Sequence, residues 1–312
     1  MKIQQHNEEQ SESIDVIDAH HHLWNLDSGK YPWLQDYNPD TFMGDYRPIM
    51  HNYLPDDYLR DSSSVNLLAT VHCEADRDYS DEVSETRWVE DLSQTYGFPN
   101  AIIGHVFFHH ENCEEILKQH CQSSLFRGIR SKPVTASSVD HMKDVYGAEG
   151  SMQDEKWLRG FSLLEKYNLS WDLRVPFWHL EEAAEVASLF PHIPIVLNHT
   201  GFPWDRSEEG LDIWRRGMRA LSHCKNVSVK ISELSVPGHS WNFNDNKNIV
   251  RETIAMFGIN RCMFASNFPV AGLRISYKEL VENMNEFLQD FSAEEKALFF
   301  WKNAKSFYRI SI

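Results

Sequence analysis

The sequence has no run of about 18 apolar residues, so it offers nothing long enough to cross a bilayer. It has no Cys-x-x-Cys pair, and its five cysteines are an odd number, which argues against a disulfide framework or a zinc ribbon. A reducing cytosol, and hence a cytoplasmic protein, is the expectation. Positive charge is also scarce: 30 Lys and Arg stand against 46 Asp and Glu, a net charge of −16. A nucleic acid or an anionic membrane needs a basic face, so neither is expected as a partner. An acidic small molecule remains open, because a few local arginines can outweigh a distant negative surface. The opening stretch "MKIQQHNEEQSES" has no apolar core, so no signal peptide is expected there. Its polarity predicts a mobile tail over residues 1–13 and a single folded domain over 14–312.

What is present is alternation. Eight short apolar runs read as strands: 16–24, 66–75, 101–108, 126–132, 169–175, 193–201, 226–232 and 261–270. Between them lie helical patterns. In one, Trp88, Val89, Leu92 and Tyr96 share a face, and Gly97 is placed to end the helix ahead of Pro99. From Ser276 onward the chain reads as helix throughout. Strict alternation implies parallel strands with helical crossovers, and eight repeats predict a (β/α)8 barrel. A doubly wound open sheet would need a Gly-rich phosphate loop after an early strand, and there is none. The long segment 25–60, rich in Tyr, Trp, Pro and Asp, is expected to cover the barrel mouth.

In such a barrel the chemistry sits where the strands end. Strand 1 ends in "DAHHH". Side chains alternate along a strand, so His20 and His22 are expected on one side together with Asp18, and His21 on the other. Two imidazoles on one face can share an ion or a substrate oxygen. Strand 6 brings His199 to the same end. Strand 4, "FRGIRSK", brings Arg127, Arg130 and Lys132, and the planar fork of Arg130 suits a carboxylate. Lys230 lies inside an apolar strand, where it must find an anion: a substrate carboxylate or Glu233. Strand 2 offers His72, Glu74 and Asp76. Strand 8 ends at Asn267, where a hydrolase needs a carboxylate to take a proton from water.

"IDAHHHLW", "FRGIR", "LNHTG.P", "NVSVKIS", "RCMFASNFPV" and "NAKSFYRI" together resemble the amidohydrolase-related (amidohydrolase 2) family, in its lactonase-like branch. The resemblance runs over about residues 14–310. It implies a single distorted (β/α)8 barrel with His20, His22 and His199 in the site, as metal ligands where a metal is used. Some members use a divalent metal, zinc or manganese, and others hydrolyse lactones without one. It places Arg130 at a substrate-carboxylate position, and Asn267 where an aspartate is usual. That substitution removes a base and a charged ligand, leaving Glu233, Glu74 or a histidine to replace it. The function implied is a hydrolase opening a lactone or similar cyclic ester of a small carboxylic or sugar acid. His20, His22, His199, Asn267 and Glu233 would be catalytic, and Arg130, Lys230 and Glu74 would bind substrate. The other readings are a non-oxidative decarboxylase of an aromatic acid on the same scaffold, and a catalytically impaired barrel that binds a small acid. A homo-oligomer is left open.

Overall fold

The computed structural model describes residues 13–41 and 43–312. The expected mobile tail therefore lies, but for Ser13, outside the described residues. Eight parallel strands form one sheet in sequence order: β1 Asp15–His21, β2 Asn66–Cys73, β3 Ala101–Gly104, β4 Phe126–Ile129, β5 Ser170–Leu173, β6 Ile195–Leu197, β7 Val227–Ile231 and β8 Cys262–Phe264. Consecutive strands pair throughout. The ring closes just past β8, where the His22 amide donates to the Phe268 carbonyl at 2.8 Å and the Asn267 amide donates to the His20 carbonyl at 2.7 Å. The protein is a (β/α)8 barrel. Each strand is shorter than its apolar run, because the run continues into the loop that carries the site.

Inward and outward side chains alternate along the strands. Ile17, Ala19, Val71, Ile103, Val196 and Met263 fill the barrel interior, together with Tyr308 from the C-terminal segment. Val16, Ile102, Ile129, Trp171, Ile195 and Val229 face the helices. Helices cover the outside because each presents one apolar stripe. Glu208–His223, capped by the Ser207 hydroxyl at the Gly210 amide, buries Trp214, Met218 and Leu221. Glu82–Tyr96 ends at Gly97, whose positive φ of 79° lets its amide close on Ser93. The buried face of this helix is rotated from the expected one. Val83, Glu85, Thr86 and Val89 are buried, Trp88 and Leu92 are half-buried, and Tyr96 is exposed. Glu85 displaces an apolar residue from that stripe because it holds the Ala75 amide at 2.9 Å and His72 at 3.2 Å.

The C-terminal region also departs from expectation. It is not helical throughout. Tyr277–Phe287 ends before a break, and Ser292 then caps Ala293–Ala297 through a capping box. A π-helical stretch, Leu298–Lys302, buries Phe299 and Phe300 before Asn303–Phe307. The segment over the mouth is tied down by paired Trp24 and Tyr53 backbones and by buried Tyr31, Tyr46 and Tyr58. It sends Trp33 and Met43 toward the barrel axis, where they line the mouth cavity.

Candidate active site

The geometry of the first strand turns on a bulge. Asp18 pairs with Thr70 but His21 pairs with His72, so β1 carries an extra residue between them. Ile17 and Ala19 point into the barrel, so Asp18 points out. There it accepts from Tyr58 at 2.8 Å and from the Ser266 amide at 2.9 Å. The bulge then resets the alternation and turns His20 and His22 inward. His21 stays outside, stacked on Tyr58 at 4.2 Å between ring centres and paired with Thr70. Asp18 therefore does not share the histidines' direction; regular alternation does not survive the extra residue.

His20 Nε2 lies 3.3 Å from His22 Nε2, and the His20 and His199 rings are 4.6 Å apart. His22 Nδ1 faces the Cys73 carbonyl at 2.8 Å. A carbonyl only accepts, so Nδ1 carries the proton and Nε2 is bare. Asn267 is fixed by similar logic. Its Nδ2 donates to Glu233 Oε2 at 2.6 Å, which turns Oδ1 toward His22 Nε2 at 3.2 Å. His199 Nδ1 pairs with the Ser232 hydroxyl at 2.9 Å. Burial, then the charges of neighbouring Lys230, Arg130 and Arg174, hold His20, His22 and His199 well below the usual imidazole range. All three are neutral at neutral pH.

Around them stand two ion-paired groups. Arg130 Nε donates to Glu74 Oε1 at 2.6 Å and its Nη2 to the Glu74 carbonyl. Lys132 pairs with Asp76 and lies 3.6 Å from Glu74. Burial raises the Glu74 carboxyl, but Arg130 and Lys132 outweigh it and keep the group ionised. Deeper in, Lys230 pairs with Asp172 and lies 3.3 Å from His20 Nδ1, and Tyr308 donates to Asp172 at 3.0 Å.

A cavity of about 180 Å³ opens on the mouth, walled by His22, His199, Arg130, Arg174, Glu233 and Asn267, with Trp33, Met43 and Phe202 on its apolar side. It is smaller than the few hundred Å³ of a typical drug-sized site, which favours a small ligand. Three of the expected site residues do not reach this wall. His20 is fully buried behind His22 and His199. Glu74 stands behind Arg130. Lys230 pairs with Asp172 and not with Glu233, because an ammonium buried in the barrel takes the one carboxylate buried beside it. Arg127 lies apart from the site and binds the Tyr308 carbonyl. Of the other two candidates from strand 2, His72 pairs with Glu85 and Asp76 lines the cavity. Arg174 and Asp172 escaped the sequence reading. The signal was there: "SWDLRV" alternates charges inside an apolar strand, the same anomaly that singled out Lys230.

Backbone strain concentrates at this mouth. Asp76, His199, Thr200, Phe202, Glu233 and Asn267 all adopt φ between 46° and 58°, which non-glycine residues seldom do.

Two groupings around His20 offer ligand atoms for a divalent metal. In the first, His20 Nε2, His22 Nε2 and Asn267 Oδ1 are spaced 3.3 and 3.2 Å apart. Zinc bonds of about 2.0–2.1 Å in a tetrahedron give donor edges of about 3.3–3.4 Å, which the two edges at His22 match. The bare His22 nitrogen and the Asn267 oxygen both face the gap. No carboxylate belongs to this set, and Arg130 and Lys230 adjoin it, so an ion would be held weakly. The second grouping is His20, Cys73 and Asp172, with ligand atoms within 4.8 Å of one another. Lys230 occupies that aspartate, and burial pushes the Cys73 thiol up to about 12, so no thiolate is on hand.

The chain is 36% identical over 297 residues to the uncharacterized protein y4mH of Sinorhizobium fredii, covering 95% of this chain and 99% of that one. It is 23% identical over 314 residues to L-fucono-1,5-lactonase of Burkholderia multivorans, covering 94% and 96%. A Burkholderia multivorans amidohydrolase crystallised with bound zinc superposes with a TM-score of 0.79 at 22% identity, over 95% of this chain and 99% of that one. That superposition establishes the shared fold. The amidohydrolase family model matches residues 17–310. With that match over nearly the whole chain, on a barrel whose first strand carries His-x-His to the mouth, the protein belongs to the amidohydrolase family.

Proposed function

We propose that this protein is a hydrolase that opens a lactone or similar cyclic ester of a small carboxylic or sugar acid. The observation that carries the reading is Glu233. Its carboxylate lines the cavity, is held by the Asn267 amide at 2.6 Å and is raised by burial above the usual carboxylate range. A carboxylate raised toward neutral pH, near space for a ligand, is suited to take a proton from water. The neutral Asn267 cannot do this, but its N–H aims the group that can.

Arg130 and Arg174, on the same wall, would hold the acid end and offset negative charge growing on the carbonyl oxygen. Water would add to the carbonyl carbon while Glu233 takes one of its protons. The ring C–O bond then breaks, and Glu233 returns that proton to the departing ring oxygen. The products are a hydroxyl and a carboxylic acid, which loses its remaining proton to solvent. A divalent metal, zinc or manganese, would be held by His20, His22 and Asn267 Oδ1 beside His199, and would supply Lewis-acid polarisation of the carbonyl. Likeness to a lactonase over nearly the whole chain supports the same class of substrate.

The test is a pH-stat assay on a panel of aldonolactones and carboxylated pyrones, beside a CO2-release assay on hydroxybenzoic acids. Acid release from at least one lactone supports the proposal. CO2 release without any ring opening overturns it.

A further inference from the structure

The three pocket histidines differ in what stands behind them. A histidine that holds a metal through one ring nitrogen keeps its proton on the other, and needs an acceptor there. His22 has one, the Cys73 carbonyl 2.8 Å from Nδ1. The Ser232 hydroxyl can serve His199 in the same way, since it both accepts and donates. His20 has the opposite. Lys230 Nζ lies 3.3 Å from its Nδ1, and an ammonium only donates.

Lys230 is fully buried, so its N–H groups must be met inside the protein. Three acceptors stand around Nζ: a carboxylate oxygen of Asp172, Cys73 Sγ at 3.5 Å and His20 Nδ1. A proton on Nδ1 would set two N–H groups against each other and leave the ammonium one acceptor short. Neutral His20 therefore carries its proton on Nε2. The other side of the ring agrees. The bare His22 Nε2 has two partners in reach, His20 Nε2 at 3.3 Å and Asn267 Oδ1 at 3.2 Å. An amide oxygen only accepts, so His20 is the one that can donate. Arg130 Nη1, 3.4 Å from His20 Nε2, is a competing donor. Its contact is longer than that of Lys230, and Arg130 lines the cavity, where a ligand or water can take that N–H.

We infer that Lys230 fixes the proton of His20 on Nε2, inside the gap that a metal would fill, and so keeps the metal affinity of the pocket low. An ion held by His20 Nε2 needs that proton moved to Nδ1, against the ammonium. The group that would accept it there is close by: Asp172 has a carboxylate oxygen within 4.8 Å of a His20 nitrogen, but Lys230 occupies it. Lys230 thus parts His20 from the carboxylate that would make it a good ligand. In its place Asp172, Lys230, His20 and His22 form one directed run of hydrogen bonds that ends on the cavity wall. The inference is independent of which ring the pocket opens, because metal binding reads it and turnover does not.

Histidine-ring ¹⁵N spectra and calorimetric zinc titration of the full chain, first stripped of metal with a chelator, test it. In the unmodified protein the His20 signals, assigned by their loss in His20→Gln, should show a proton on Nε2 and a bare Nδ1. The double variant Lys230→Met with Asp172→Asn removes one positive and one negative charge together, so the local net charge is unchanged. Its new amide oxygen can accept from an Nδ1–H. Zinc should bind this variant at least about tenfold more tightly than it binds the parent, the scale on which such outer partners act. The His20 proton should then sit on Nδ1 in the zinc complex. A His20 proton on Nδ1 in the unmodified, metal-free protein overturns the inference. So does a folded double variant whose zinc affinity matches the parent's.

Discussion

Replacing Glu233 with glutamine should move activity and stability in opposite directions. The side chain keeps its length, and its amide oxygen can still accept from Asn267 Nδ2, now 2.6 Å from Glu233 Oε2. What disappears is the ability to take a proton. General-base catalysis contributes about 10²–10⁴-fold, so kcat on the best lactone should fall by about that factor with little change in KM. The stability effect follows from linkage. Burial raises the Glu233 carboxyl in the folded state, with the Asn267 bond and Arg274 opposing. A carboxyl whose folded value lies above its unfolded value binds its proton more tightly when folded. The folded state is therefore penalised as pH rises through the unfolded value, and the penalty is complete above the folded value. Glutamine carries no such penalty. Glu233→Gln should thus be at least as stable as the parent at pH 8, with the difference vanishing near pH 3. Urea denaturation at the two pH values, with kcat and KM on the same preparations, reads both arms. A variant that keeps more than about a tenth of parental kcat, below the smallest loss expected of a general base, would refute the argument. So would one less stable than the parent at pH 8.

Asn267→Asp removes the N–H that holds Glu233 and sets a second carboxylate against it, so turnover at pH 7 should drop and the acid limb of the kcat/KM profile should move to higher pH. A gain in turnover would show instead that the lost aspartate was never replaced. Arg130→Met leaves the buried Glu74 with the more distant Lys132 and the Asp76 amide, and should cost about 3 kcal/mol in urea denaturation; a cost under about 1 kcal/mol would mean that Glu74 is readily neutralised. Gly160→Ala would set a methyl group 1.9 Å from the Phe108 carbonyl oxygen. The helix Glu155–Lys166 must then shift, for a loss of about 1–3 kcal/mol that thermal unfolding can measure.

The barrel was legible because each buried parallel strand is a short apolar run between polar helical stretches, and that pattern survives without knowledge of partners. His20, His22, His199 and Asn267 could be brought together from strand ends alone. Three features were hidden for physical reasons. The bulge in β1 leaves no mark in the sequence, since "DAHHH" fits regular and bulged alternation equally well, yet it decides that Asp18 leaves the site. The partner of Lys230 lies 58 residues away on β5, and Glu233, three residues along, was the nearer carboxylate in sequence but not in space. The break before Ser292 comes from a capping box inside a stretch whose composition favours helix on both sides.

Isotope incorporation during turnover tests the central claim most directly. The best lactone found in the panel is converted by the protein in ¹⁸O-labelled water, and the product is fragmented in a mass spectrometer. Water attack on the carbonyl carbon, with the ring C–O bond broken on the acyl side, predicts one ¹⁸O in the product carboxylate and none in the new hydroxyl. Label in the hydroxyl, or product formed by loss of CO2 with no label at all, would contradict the account.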